Sequence, residues 1–358
     1  MIIGIDVREG VRPNHAGKGE YVYQLVTRLI KQSEHQFVLF SDAKLPPEWR
    51  LPNVRSQVWH TPSWLWQGLM ILQLNFYPGV DVYLSTTSVI VPALTWRVPV
   101  VTVLFDLVSF LFPDRHKLKA VLFEKIWMRP ALNRSRSLLA ISNSTKNDAV
   151  QLFGINPNKI TVSYIGPAVV SQATPVNLPS SPIILFVGTL EPRKNVVTLV
   201  EAFNQLRRQN VFCNLVLAGG WGWQSEEIKL AIDRSPYTSD IKVLGYVSEE
   251  QKTFLYQHAT LLAFPSRYEG FGMPPLEAMS LGLPVVTTNV SSLPEVVGNA
   301  AILVSPDSVS ELANAINQVL TDSDLRQRLV AAGLVQSKKF NWQATSDATL
   351  RVLTLRSA

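Results

Sequence analysis

Glu269-Gly270-Phe271-Gly272-Met273-Pro274-Pro275-Leu276-Glu277 lies between two short apolar runs, residues 260–264 and 284–287. The runs read as buried strands, and the stretch between them as a tight loop that opens a helix. Gly270 and Gly272 let backbone approach a ligand with no Cβ in the way. Pro274 and Pro275 suit a first helical turn, where a missing N–H costs nothing. The free amides of such a helix start, with its dipole, seat a phosphate. Glu277 offers acceptor oxygens from the first turns of that helix, suited to a pair of ribose hydroxyls. Glu269 stands ahead of the loop, within reach of whatever the phosphates carry. A ligand with a nucleoside, a diphosphate and a sugar fits this layout. The plainer alternative is an ordinary loop and helix that packs Leu276, Met279 and Leu281 into a core.

Outward from this stretch the chain alternates strands and helices. In the second half, strands are expected at 183–188, 214–218, 242–244, 260–264, 284–287 and 301–304. Helices fit between them at 196–209, 225–235, 248–258, 274–281 and 310–320. The first half has the same rhythm, with strands at 2–7, 36–40, 80–85, 98–105 and 137–141 and helices at 20–31, 117–132 and 144–153. Short apolar strands alternating with helices imply parallel sheets built of βαβ units. The expected fold is α/β, two Rossmann-like domains facing a cleft, with ligands at the carboxyl ends of the strands. The domains are placed at 1–167 and 183–341, joined by a Pro/Ser/Thr/Gln-rich linker at 168–182. A last helix at 342–358 is expected to return to the first domain.

Leu185-Phe-Val-Gly-Thr-Leu-Glu-Pro-Arg-Lys-Asn195 carries the second signal. A strand ends at Gly188, and Arg193 and Lys194 follow in the loop before a helix. Two cations so placed neutralise a diphosphate as it leaves. Leu217-Ala-Gly-Gly-Trp-Gly-Trp223 follows another strand, and Gly219 and Gly220 allow its loop to pass close to a nucleotide, with Trp221 or Trp223 stacking nearby. The only Asp-x-Asp triplet, Asp322-Ser-Asp324, reads as a helix cap rather than a metal site. Cys213 is the sole cysteine, so a disulfide framework and a cysteine-based zinc site are excluded. No cofactor and no metal are expected.

The segment from Pro265 to Val286 resembles the signature of glycosyltransferase family 4, retaining nucleotide-sugar enzymes of the GT-B fold. The resemblance covers nearly the whole chain and is strongest over 183–306. It implies a metal-independent hexosyltransferase. Arg193 and Lys194 would stabilise the leaving diphosphate, and Glu269 would hold the sugar hydroxyls. Glu277 would bind the ribose, and the amides around Gly270, Phe271 and Gly272 would assist. Gly188 ends the first strand of this site, and Val247, in Leu244-Gly-Tyr-Val-Ser248, would flank the base. The form of residues 188–195 is similar to mannosyltransferase-like members, which makes GDP-mannose the first expectation for the donor. In the first half, Gly17-Lys-Gly19-Glu20-Tyr21 is similar to the family's diphosphate-facing glycine loop, with Glu20 where an Arg is usual. Ile141-Ser-Asn-Ser-Thr145 resembles its serine turn, with Ser142 expected at a ligand and Ser144 as a helix cap. The departure is Leu104-Phe-Asp-Leu107, where relatives carry His-Asp-Leu. Phe105 offers a sugar no hydrogen bond, so Asp106, His15 or His116 would have to substitute.

Of 358 residues with a net charge of +6, positions 1–180 hold 18 Lys+Arg against 11 Asp+Glu. The basic excess thus sits in the first half and points to an anionic partner there. No nucleic-acid motif accompanies it. The uncharged run 56–80 is rich in Trp and Leu. It reads equally as a buried helix and as a surface that touches a membrane, but is too short and interrupted to span one. The basic stretch 115–136 is the better candidate for contact with anionic lipid, against the simpler reading of a solvated helix face. No signal peptide is evident, so a cytoplasmic location, peripheral to the inner membrane face, is expected. The acceptor is expected to be a glycan or a lipid-linked saccharide of envelope or exopolysaccharide synthesis. Two alternatives stay open: a nucleotide-sugar-binding subunit impaired in turnover, and a nucleotide-sugar epimerase of the same architecture.

Overall fold

The structure, a computed structural model, describes residues 1–12, 17–112, 118–168, 172–180 and 182–355. The chain divides into two compact units, Met1–Gly166 with Asn341–Ala358, and Pro167–Phe340.

The first unit is built on a seven-stranded sheet of β1 (Ile2–Asp6), β2 (Gln36–Ser41), β3 (Val54–Val58), β4 (Val82–Ser85), β5 (Val100–Leu104), β6 (Ser137–Ala140) and β7 (Ile160–Val162). The spatial order is β3-β2-β1-β4-β5-β6-β7, and every pairing is parallel. Ile3 sits between Phe37 and Val82, so β1 is central and its neighbours mark the point where the strand order reverses. The central strands are apolar and buried because helices cover both faces. β3 and β7 were not expected from sequence. Both are edge strands: β3 carries three polar residues in a row between its terminal valines, two of them exposed, and β7 has three residues, so neither shows a continuous apolar run. The C-terminal helix Trp342–Thr354 packs on Lys18–Gln32 in this unit. A Cβ on Gly166 would lie 2.6 Å from the Trp342 ring, so only glycine permits this approach.

The second unit carries a six-stranded parallel sheet of β8 (Ile183–Val187), β9 (Asn214–Ala218), β10 (Ile241–Gly245), β11 (Leu261–Phe264), β12 (Val285–Thr288) and β13 (Ala301–Val304). Its order is β10-β9-β8-β11-β12-β13. The reversal falls between β8 and β11, the two strands that lead into Arg193-Lys194 and into Glu269. Two helices here had no range from sequence, the short Leu293–Val297 and the longer Ser323–Ser337. Asp322 caps the longer one by accepting from the Leu325 N–H at 2.8 Å, the role expected for the Asp-x-Asp triplet.

Candidate functional site

In the second unit the carboxyl ends of β8, β9 and β10 are stitched by backbone. The Gly188 N–H donates to the Ala218 carbonyl at 2.9 Å, and the Gly219 N–H to Gly245 at 2.8 Å. A Cβ on Gly219 would fall 1.9 Å from the Gly188 oxygen, so a side chain there would force the two loops apart. Gly220 accepts from the Leu190 N–H at 2.9 Å and has open space where a Cβ would be. Trp221 and Trp223 are about half exposed, and Val247 is half-buried in the loop after β10.

Across the reversal, the loop after β11 meets the loop after β8. The Lys194 ammonium is 2.6 Å from Glu269 Oε1, and an Arg193 guanidinium nitrogen is 3.2 Å from Glu269 Oε2. Arg193 also donates to the Tyr268 carbonyl at 2.7 Å and to Glu191 at 2.6 Å. Lys194 and Glu269 are both buried. Burial pushes the Glu269 carboxyl up, but Lys194 and then Arg193 pull harder, and the balance lies below its ordinary value. Burial lowers Lys194 below the usual lysine value against the opposing pull of Glu269.

The glycine loop itself is tied from β12, by residues the sequence did not flag. The Ser291 hydroxyl accepts from the Glu269 N–H at 2.9 Å. The Ser292 hydroxyl lies 2.9 Å from the Glu269 carbonyl and 2.6 Å from that of Phe271, with one proton to share. Thr288 donates to the Ser266 carbonyl at 2.6 Å. Gly272, at φ +109, turns the chain into the helix Met273–Ser280 in a conformation that favours glycine. A Cβ there would also press within 2.9 Å of Leu293.

Glu277 sits in that helix, 2 % exposed. Lys252 approaches one carboxylate oxygen at 3.0 Å, and the Tyr256 hydroxyl donates to the other at 2.9 Å. Lys252 also reaches Glu249 at 2.7 Å, so one ammonium serves two acids. Burial, opposed by Lys252 and helped by Glu249, leaves Glu277 above the usual carboxylate value. Lys252 is raised in turn: burial works against its charge, but Glu277 and Glu249 outweigh it. Lys252 and Tyr256 belong to the helix Glu249–His258, where sequence shows only the cap at Ser248.

Gly188, Arg193, Lys194, Gly219, Gly220, Val247, Glu269, Gly270, Phe271, Gly272 and Glu277 therefore share one edge of one sheet. Gly17, Gly19 and Asp106 belong to the other unit. Gly17, at φ +55, precedes the helix Lys18–Gln32 as a cap without a side chain, and Gly19 is buried in its first turn. The Phe105 ring packs edge-on to Tyr21 at 5.0 Å, and Asp106 accepts from the Val108 N–H at 3.3 Å. Ser142, expected at a ligand, is the helix cap. It accepts from the Thr145 N–H at 3.0 Å, while Ser144, expected as the cap, lies inside the first turn, two positions later. His15 and His116 fall outside the described residues. Among the described residues, no group of three or more His, Cys, Asp or Glu is placed to hold a metal ion, and no helix is long and apolar enough to cross a membrane.

Residues 173–335 match the family description "Glycosyl transferases group 1", and residues 16–166 match "Glycosyltransferase Family 4". The O-antigen chain mannosyltransferase B of Escherichia coli is 32% identical over 266 residues, which cover 71% of this chain and 70% of that protein. The serotype-specific mannosyltransferase WbdA of Escherichia coli is 28% identical over 305 residues, 80% of this chain but only 36% of its own length. Among solved structures, HepE of Anabaena in complex with UDP and glucose superposes with a TM-score of 0.78 at 19% identity, covering 99% of each chain. That likeness carries the fold: two parallel-sheet Rossmann-like domains of the GT-B type.

Proposed function

The chain is a glycosyltransferase of family 4, and we propose that it moves mannose from GDP-mannose to a hydroxyl of a lipid-linked or polysaccharide precursor, with retention of anomeric configuration. The contact that carries this reading is the one between Lys194, Arg193 and Glu269. Cations that bind a diphosphate and a carboxylate that binds sugar hydroxyls already touch, so a diphosphate on the first brings its sugar to the second. The mannosyltransferase relatives support the choice of sugar.

In this reading the bond from the anomeric carbon to the diphosphate oxygen breaks as charge grows on that oxygen. Arg193 and Lys194 neutralise it, and their fixed positions avoid reorganisation during the step. The acceptor oxygen bonds to the same face of the carbon, and its proton passes to the departing diphosphate oxygen. Glu269 accepts from the sugar hydroxyls, and the amides of the Gly270–Gly272 loop and the helix start after it face the phosphates. One Glu277 oxygen accepts from Lys252 and the other from Tyr256, and each keeps a lone pair for a ribose hydroxyl. Because Glu277 is buried, that contact calls for side-chain movement as the donor enters. Trp221 or Trp223 and Val247 supply apolar surface for the base.

The test is a transfer assay with GDP-mannose, UDP-glucose and UDP-galactose against lipid-linked saccharides, with the product's anomeric configuration read by NMR. α-Mannosyl product from GDP-mannose supports the reading. Product from a uridine donor alone, or inverted product, overturns donor or stereochemistry. Donor binding without product would favour the alternative of a nucleotide-sugar-binding subunit impaired in turnover.

A further inference from the structure

Sequence separates an uncharged aromatic run from a basic one some forty residues later, and the fold of the first unit sets them in one layer. The helix Ser63–Phe76 packs on Ile90–Leu94, which packs on Leu118–Arg134. Inward, Trp66, Met70 and Leu74 join a core with Tyr83, Val91 and Val98. Outward, the same helix presents Leu65, Leu69, Leu72 and Phe76 at helical spacing, with Leu72 52 % and Phe76 55 % exposed. Sequence left burial and surface contact equally open for this run, and the helix is buried on one side and exposed on the other. A helix apolar on both faces and without a charge is matched to apolar surroundings on its outer side too.

The aromatic end of this face is built rather than loose. Asn75, itself buried, accepts from the Trp96 N–H at 2.9 Å and donates to the Leu94 carbonyl at 2.9 Å. This holds the Trp96 ring edge-on to Phe76 at 5.9 Å, while Trp96 is 61 % and Tyr77 73 % exposed. The neighbouring helix exposes Leu122, Phe123 and Ile126, interleaved with exposed Lys125, Arg129 and Arg134. Arg97 is exposed beside Trp96. The one carboxylate within Leu118–Arg134, Glu124, is taken by the Ser109 hydroxyl.

We propose that this outer face of the first unit docks on an anionic lipid bilayer. Trp64, 75 % exposed at the start of the same helix, and Phe76, Tyr77 and Trp96 enter the headgroup region, where amphipathic aromatic rings are favoured. Lys125, Arg129, Arg134 and Arg97 meet lipid phosphates. The uncharged helix lacks a basic face of its own, and its neighbour supplies one, which completes the composition of an interfacial surface. A second copy of the chain fits poorly, because a two-fold contact through this face would set the same cations against one another. The proposal rests on the lipid-linked acceptor reading for its purpose alone, since docking itself needs neither donor nor acceptor.

The experiment is flotation of the full chain, without donor, on vesicles of phosphatidylcholine alone and of phosphatidylcholine with phosphatidylglycerol. The chain is expected to float with the anionic vesicles and to be released by salt. K125S/R129S should weaken binding by on the order of fivefold per cation removed. W64S/W96S should weaken it comparably while leaving the melting temperature and transfer to a soluble acceptor unchanged. F212S, which changes a 72 % exposed ring in the second unit, should bind as wild type does. Wild type that fails to float, or W64S/W96S that floats equally well, overturns the proposal. So does loss of a dimer in W64S/W96S where wild type sediments as one. Flotation without sugar transfer would instead leave docking in place and sink the proposed function.

Discussion

Each sheet reverses its strand order beside a buried ion pair, and the two pairs are built differently. In the first unit Asp6 and Arg8 come from the end of one strand. The guanidinium reaches both carboxylate oxygens, at 3.0 and 2.9 Å, and stacks on Trp66 at 3.6 Å from the ring centroid. Both charges of that pair lie within three residues of one chain segment. In the second unit Lys194 and Arg193 follow β8, and Glu269 follows β11, so the contact joins two loops across the reversal. A pair within one segment fixes a strand end. A pair assembled from two loops also fixes the distance between a cation site and an acceptor site, which is what a phosphorylated sugar needs.

The sharpest way to break this comparison is to neutralise each acid. Glu269→Gln leaves a buried Lys194 without its counter-charge, and we expect unfolding of the second unit to become easier by about 3–5 kcal/mol, measured by chemical denaturation. Replacing Lys194 by Met in the same chain should recover most of that loss, with donor binding still absent. Asp6→Asn should cost about 3 kcal/mol, at the lower end of that range because Trp66 still covers the guanidinium. It should leave donor affinity as it was. Equal loss of donor binding in both variants would erase the distinction drawn here.

Ser292→Ala tests the support of the glycine loop. It removes the hydroxyl that serves the Glu269 and Phe271 carbonyls and should cost about 1–2 kcal/mol, visible as a lower melting temperature and weaker donor binding. The smallest effect is a difference of sign between the two acids of the site. Glu269 is held below its ordinary value, so its contribution is present above the usual carboxylate range and lost as pH falls through the lowered one. Glu277 is raised, so its contribution is complete below the usual range and lost as pH rises through the raised value. Denaturation across mildly acid pH should therefore show Glu277→Gln gaining on wild type as pH rises, and the deficit of Glu269→Gln shrinking as pH falls.

Much of this site was legible in sequence because loops after central strands announce themselves. Apolar runs fix β8 and β11, and the glycines and cations just past their ends are then placed by chain order. The supporting shell was not legible. Lys252, Tyr256, Ser291 and Ser292 sit where helices and turns read as ordinary, and only the packing of Glu249–His258 against Glu277 and of the loop after β12 against Glu269 gives them a task. β3 and β7 escaped because edge strands need only half an apolar pattern. The cap at Ser142 was misplaced by two residues, since Ser142 and Ser144 are equally good caps until the strand end at Ala140 fixes where the helix begins. The aromatic face of the first unit is a third kind of case. Its two halves were each visible, and only the helix Ile90–Leu94 between them shows that they share a layer.

The measurement that tests the central claim most directly is calorimetric titration of GDP-mannose into wild type, Glu277→Ala and Asp6→Asn. The account predicts binding to wild type, a loss of about 1–3 kcal/mol in Glu277→Ala, and no change in Asp6→Asn. No binding of the nucleotide sugar to wild type, or equal weakening by both substitutions, would contradict it.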